Sequence, residues 1–262
     1  VNSGITLTVE DSVLKTNYVR QAFMFSLAKD SDGNISHERN TLIFKNTTMS
    51  SKNSLSSARG MLYSIGTDVF IDSCNVETPG YFLHMDSGAY ANTFTITGDT
   101  NINAGWLGYT KGNNNIWTIG TQDDGPQPNI HVQQQLDNWN NAVAGTITIY
   151  GGTFTSEQYF FRLSKGAHNI NIQGGTFILD KGYPLISYVN AITANINITK
   201  GEFHLSNDST MVKLKSTSQK SGIKLPTAET AVPGNIKVYL GDGAAEVADT
   251  QKFFKADEWI AA

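Results

Sequence analysis

Asp123 and Asp124 form an adjacent acidic pair inside an irregular stretch of the chain. Paired carboxylates are what glycoside hydrolysis needs, one to protonate the leaving oxygen and the other to activate water or attack the sugar. His131, in Ile130-His-Val132, and Arg162, in Tyr159-Phe-Phe-Arg-Leu163, complete the set of catalytic candidates if the chain is an enzyme. The local sequence weighs against that use. Gln122-Asp-Asp-Gly-Pro-Gln-Pro128 is also an ordinary turn sequence, and a lone His on a strand such as His131 is more often surface decoration than a ligand. His84 and Asp86 are two residues apart, but Asp86 follows Met85 at a turn and makes a poor acid/base partner.

Aromatic residues point to a different chemistry, the stacking of apolar sugar faces on rings while neighbouring donors and acceptors take the hydroxyls. Trp106, Tyr109, Trp117 and Trp139 surround the acidic segment, and Tyr63, His84 and Arg162 fall on strand positions expected to face outward. These seven are the ligand-binding candidates, with core packing as the competing use of the tryptophans and a plain solvent face as that of the rest. The five His are isolated, no calcium loop is recognisable, and no glycine loop leads into Lys-Ser or Lys-Thr, so neither a metal nor a cofactor is expected.

The elements that must position these groups are written as a repeat. Gly145-Thr-Ile-Thr-Ile-Tyr-Gly-Gly-Thr-Phe154, Asn169-Ile-Asn-Ile-Gln-Gly-Gly-Thr-Phe177 and Asn195-Ile-Asn-Ile-Thr-Lys-Gly-Glu-Phe203 place an alternating strand, a glycine turn and a Phe at spacings of 23 and 26 residues. Earlier strands of the same kind include Ile5-Thr-Leu-Thr-Val9, Leu42-Ile-Phe44, Val69-Phe-Ile71 and Phe94-Thr-Ile96. Coils of about 21–26 residues, each with two or three short strands, predict a right-handed single-stranded parallel β-helix, because every strand must pair with its counterpart one coil later.

A further aligned strand carries two adjacent apolar columns. The first is Phe23, Met61, Phe82, Trp106, Phe160, Leu185 and Met211; the second is Met24, Leu62, Leu83, Leu107, Phe161, Ile186 and Val212. Neighbours on a flat strand point to opposite sides, so the first column either sits at a corner that lets both share the core or forms an exposed apolar stripe; the corner is expected, because a stripe of that length would need a partner to cover it. The next position then faces outward: Phe25, Tyr63, His84, Gly108, Arg162, Ser187 and Lys213. Cys74 falls where an apolar rung residue would sit and reads as core. The β-helix domain is expected to span residues 1–248, with an irregular excursion at 110–143 that holds one poorly matching coil around Ile116-Trp-Thr-Ile119 and Ile130-His-Val132, and a surface loop at 215–234. Residues 249–262, with Phe253, Phe254, Trp259 and Ile260, are the expected C-terminal cap.

The chain has 262 residues, 39% hydrophobic and 16% charged, with a formal net charge of −4. Its basic residues are scattered, which disfavours nucleic acid and anionic membranes as partners. No run approaches the ~18 apolar residues of a membrane span. Low charge and a polar Asn/Thr surface suit an exported protein.

The Ile-x-Ile-x-Gly-Gly-Thr-Phe units resemble the coils of right-handed parallel β-helix proteins of the pectate-lyase-like superfamily, and similar units recur in secreted or surface proteins of gut bacteria. The resemblance covers roughly residues 1 to 245 and is specific for fold. It implies an extracellular or cell-surface bacterial protein and allows lyases, hydrolases and non-catalytic adhesins. Enzymatic members use calcium-binding acidic clusters with a basic residue as base, or three aspartates with a Gly-His-Gly element. Gly-His-Gly is absent here and Arg is confined to positions 20, 39, 59 and 162. The leading expectation is therefore a non-catalytic binder of polysaccharide or another cell-surface glycan, followed by a polysaccharide lyase or glycoside hydrolase and by a structural or adhesive spacer.

Overall fold

Alternation of apolar and polar residues at period two makes strands with one buried side, and the structure stacks such strands coil upon coil. It is a computed structural model that describes residues 4–17, 23–25, 32, 34, 38–52, 60–85, 90–110, 114–139, 144–179, 181–190, 192, 194–206, 211–213, 222–224 and 236–241. Among the described residues there is no α-helix, and the strands belong to one sheet system with parallel pairing. The chain is an all-β parallel solenoid, as its repeats predict.

Three faces run along it. The first passes through Thr6–Glu10, Asn40–Lys45, Thr67–Asp72, Thr93–Thr97, Asn115–Ile119 and Ala144–Ile149, then the opening halves of Ala167–Leu179 and Ala194–Leu205, and ends on Ile223–Lys224. The second passes through Val13–Thr16, Thr48–Ser51, the opening parts of Asn75–Met85, Asn101–Thr110 and Asn129–Trp139, then Thr153–Ser156, the closing halves of Ala167–Leu179 and Ala194–Leu205, and Ile236–Leu240. The third passes through Phe23–Phe25, Leu62–Ser64, the closing parts of Asn75–Met85, Asn101–Thr110 and Asn129–Trp139, then Phe161–Leu163, Ile186–Tyr188 and Val212–Lys213.

The core is the set of inward columns. On the first face Leu42, Val69, Phe94, Trp117, Ile147, Ile170 and Ile196 lie in one buried column. On the second, Ile130, Phe154, Phe177 and Phe203 do the same, with the Phe154 and Phe177 rings stacked at 4.8 Å and the Phe177 and Phe203 rings at 5.0 Å. Cys74 is fully buried, and burial pushes its thiol up from the ordinary value, so it is core as expected.

The corner between the first and second faces requires a left-handed backbone. Asp11, Asn46, Ser73 and Gly98 have φ of 44–65° there, and Gly152 and Gly175 have φ of 119° and 100°. Only glycine adopts the latter values at little cost, and a Cβ on Gly174 would overlap the Tyr150 carbonyl oxygen of the preceding coil. The Gly-Gly pair is thus a stacking requirement. Between the second and third faces the register shifts between Ala104 and Trp106. That bend lets adjacent residues share the interior: Phe82 with Leu83, Phe160 with Phe161, and Leu185 with Ile186 are all fully buried.

Three expectations change. The coil expected to match poorly within 110–143 is a regular one, because Asn115–Ile119 and Asn129–Trp139 pair on both sides in the parallel ladders; the irregular part, as far as it is described, is the turn 120–128. Within 215–234, Ile223–Lys224 extends the first face instead of lying in a plain loop. The third-face position expected to face outward runs in register through Met24, Tyr63, His84, Tyr109, Asn138, Arg162, Ser187 and Lys213, so Phe25 and Gly108 are displaced from it by one residue, and Tyr63, His84 and Ser187 within it are buried instead of facing solvent. Phe25 is a buried core residue. The expected cap at 249–262 lies outside the described residues.

Candidate functional site

With apolar residues committed inward, the second face turns two polar columns to solvent. One reads Thr48, Asn75, Asn101 and Asn129; the other reads Lys15, Ser50, Glu77, Asn103 and His131. Together they line a shallow groove of about 770 Å³. A smaller groove of about 390 Å³ shares Ser50, Glu77 and Asn103 and extends toward Pro79 and Gln133. Asn129 Nδ2 donates to Asn101 Oδ1 on the preceding coil at 3.4 Å, and Asn101 Nδ2 donates to the Asp99 carbonyl of its own coil at 3.3 Å. The surface offers amides and hydroxyls, groups that donate and accept together. Among the described lining residues of the larger groove, Lys15 and Glu77 carry full charges, opposite in sign.

The catalytic candidates do not converge there. Asp123 and Asp124 are exposed and line another groove, of about 550 Å³, at the corner of the first and second faces. Its floor is Gly151, Gly152, Gly174, Gly175 and Gly201, and Lys200, Glu202 and Lys237 stand at its side. His131 lies in the second-face groove, and Arg162 lines neither.

The turn bearing the two aspartates is tied by Gln127. Its Oε1 accepts from the Thr121 backbone N–H at 3.1 Å, and its Nε2 donates to the Thr121 carbonyl at 3.1 Å and the Asp123 carbonyl at 3.1 Å. The carboxylates have no part in those bonds, so replacing both Asp123 and Asp124 with Asn should leave the urea midpoint within the small range of exposed substitutions, about 0.5 kcal/mol.

The aromatic candidates divide by burial. Trp117 is 1% exposed and stacks on Phe94 at 5.4 Å, so it is an interior plug and not a ligand contact. It pairs in register with Phe94 and Ile147, which is the reason it turns inward. Tyr63 and His84 are also buried, at 8% and 4% exposure, and His84 sits against Tyr63 at 5.1 Å and Tyr109 at 4.9 Å. Trp106 is half-buried with one ring face taken by Tyr81 at 4.6 Å. Tyr109 packs edge-on against Tyr81 at 5.6 Å. These rings are neighbours on one face, as the outward column implies, but they satisfy one another by stacking along the solenoid. Trp139 pairs in register with Leu163, and its side chain lies outside the described residues.

Two polar arrangements had no counterpart in the sequence reading. Asn40, Thr67, Asn92, Asn115 and His168 are buried where the third face turns into the first. There Asn40 Oδ1 accepts from the Ile5 N–H at 3.2 Å, Asn92 Oδ1 from the Thr67 N–H at 3.2 Å, and Asn115 Oδ1 from the Asn92 N–H at 2.8 Å. Each amide supplies the acceptor that a turning backbone N–H would otherwise lack. An Asn at or just before the start of three first-face strands, Asn40, Asn92 and Asn115, was the available signal. On the second face, His204 Nε2 lies 2.7 Å from Glu202 Oε1, and the His204 ring stacks on Tyr239 at 4.6 Å. No group of three or more His, Cys, Asp or Glu among the described residues is placed to hold a metal ion, and no helix there is long and apolar enough to cross a membrane.

Comparison with protein-family models, with curated proteins and with solved structures gives no match to this chain.

Proposed function

We propose that this chain is an exported bacterial glycan-binding protein of the pectate-lyase-like β-helix type, acting without catalysis through its second face. The observation that carries this reading is the groove from Lys15 to His131, where the hydroxyls of Thr48 and Ser50, the amides of Asn75, Asn101, Asn103 and Asn129 and the His131 imidazole stand beside the apolar Met49, Val76 and Ile102. Sugar hydroxyls need neutral donors and acceptors in number, whereas a hydrolase or lyase needs several ionisable groups converging on one bond. The low overall charge and the Asn/Thr-rich surface favour a secreted or cell-surface location.

A lyase or hydrolase remains the second reading, with one feature in its favour. The glycine-floored corner groove gathers Asp123, Asp124 and Glu202 with Lys200 and Lys237. A glycan array run beside assays for reducing ends and unsaturated uronide products on the same polysaccharides separates the two. Binding without product is the expected result, together with at least a tenfold loss of affinity in Asn103→Ala, about 1.4 kcal/mol. Product formation that disappears in Asp123→Asn/Asp124→Asn would overturn the binding reading. Absence of both binding and product would leave the structural or adhesive spacer.

A further inference from the structure

We infer that the glycine-floored corner groove is a second ligand site, separate from the second-face groove, and that it takes a short, extended peptide with both termini free. The peptide's ammonium lies at Asp123 and Asp124, and its carboxylate lies at Lys200 and Lys237. The order in which successive coils turn this corner carries the inference. The turn 120–128 belongs to the coil of Asn115–Ile119 and Asn129–Trp139. The next two coils turn through Gly151-Gly152 and Gly174-Gly175, and the third through Lys200-Gly201, since Asn129, Thr153, Thr176 and Glu202 lie in register. Lys237 stands beside Glu202 on the following strand. The acidic pair is therefore at one end of the groove and the basic pair at the other, with two coils of glycine between them.

These charges are not used within the fold. Among the described residues, no ion pair or side-chain hydrogen bond engages the carboxylates of Asp123 and Asp124 or the ammonium groups of Lys200 and Lys237. Three coil steps of about 4.8 Å set the acidic rung about 14 Å from that of Lys200, too far for direct pairing. Glu202, the remaining acid of the groove, lies 2.7 Å from His204 Nε2. The basic end thus carries two ammonium groups against one carboxylate.

A complementary ligand is positive at one end, negative at the other and uncharged between. Four residues of extended peptide span about 13 Å and end in those two groups. Along the way the Thr153 and Thr176 hydroxyls offer donors and acceptors to its amides. The glycines leave a floor without side chains, open to close approach by the peptide main chain. Tyr150 is the only large apolar side chain among the described lining residues, which favours small or polar side chains in the ligand. A neutral sugar chain or a polyuronate brings no cation for Asp123 and Asp124.

The test is calorimetric titration of the whole chain with serine peptides of two to six residues, each with free termini, N-acetylated or C-amidated. Buffer of about 10 mM ionic strength keeps the charges unscreened across the groove. The expected result is tightest binding near four residues, weakened about tenfold by either block. Asp123→Asn/Asp124→Asn should bind free and acetylated peptides alike, and Lys200→Gln/Lys237→Gln should bind free and amidated peptides alike. Lys45→Gln, exposed on the first face, should match the wild type. Wild-type affinity indifferent to both blocks, affinity independent of length, or no binding by any peptide would overturn the site. An acetylation effect that persists in Asp123→Asn/Asp124→Asn would overturn the assignment of the ammonium end.

Discussion

Phe177→Ala should lower the unfolding free energy by about 3–5 kcal/mol, the range for removing a large aromatic from a close-packed interior. Phe177 is fully buried, stacked between Phe154 at 4.8 Å and Phe203 at 5.0 Å, and met edge-on by Phe160 at 5.5 Å. Neither neighbouring ring can collapse into the space without leaving its own place in the stack, so both transfer free energy and cavity cost apply. In a solenoid each coil is held chiefly by the coils beside it, and this ring belongs to two of those interfaces at once. Urea titration followed by tryptophan fluorescence and by circular dichroism reads the loss. Separation of the two transitions in the variant would show the coils coming apart locally before the rest. Phe70→Ala is the control, because Phe70 is an exposed first-face residue, and its expected change is about 0.5 kcal/mol or less. An unchanged midpoint in Phe177→Ala would refute the inward register of the second face.

Acidification should destabilise the protein through His168. This imidazole is 1% exposed, in register with Gly145 on one coil and Ala194 on the next, whose small side chains leave room for the ring. Burial lowers its pKa from 6.5 to about 4, against the opposing effect of Nε2–H donating to the Lys165 carbonyl. Because the folded value lies below the unfolded one, the unfolded chain binds the proton more tightly. The contribution is therefore fully present above about pH 6.5 and is lost as the pH falls toward 4. The difference corresponds to about 3 kcal/mol.

Asp68 acts in a separate range. Burial raises its carboxyl, but hydrogen bonds from Arg39 and Thr93 and the Arg39 charge outweigh that and hold it below the ordinary carboxylate value. Its loss of stability comes at lower pH. Unfolding free energies measured between pH 7 and 4 should fall in the wild type and flatten in His168→Asn. A slope unchanged by the substitution would show that His168 is not the group responsible. The readout is the slope, so any constant cost of the replacement does not confuse it.

Much of the fold is legible in the chain because inward packing and strand pairing impose local patterns. Ile147, Ile170 and Ile196 alternate with polar residues, and the Gly-Gly pair appears where a corner must be both left-handed and free of a Cβ. The coil through Asn115–Ile119 and Asn129–Trp139 was less legible. Its first strand carries Trp117 between Phe94 on one coil and Ile147 on the next, and Ile116 is outward and exposed. The offset at Phe25 and Gly108 has a related cause. Alternation predicts which side of a strand a residue takes, but a register shift such as that between Ala104 and Trp106 changes the count without leaving a compositional mark.

The site residues show the sharper division. Asp123 and Asp124 are adjacent in sequence, which alone suggests a catalytic pair, and the structure leaves them exposed in a turn tied by Gln127. Lys15 and His131 were far apart in sequence and became ends of one groove only when the coils were stacked.

By itself the sequence determined the repeating coil, its corners and most of its interior, because those follow from side-chain alternation and backbone geometry within a few residues. Tertiary structure alone decided which polar residues share a surface, which aromatics cover one another, and that His168 is enclosed without a charge. Those properties depend on register between coils more than twenty residues apart, and a spacing along the chain does not specify that register.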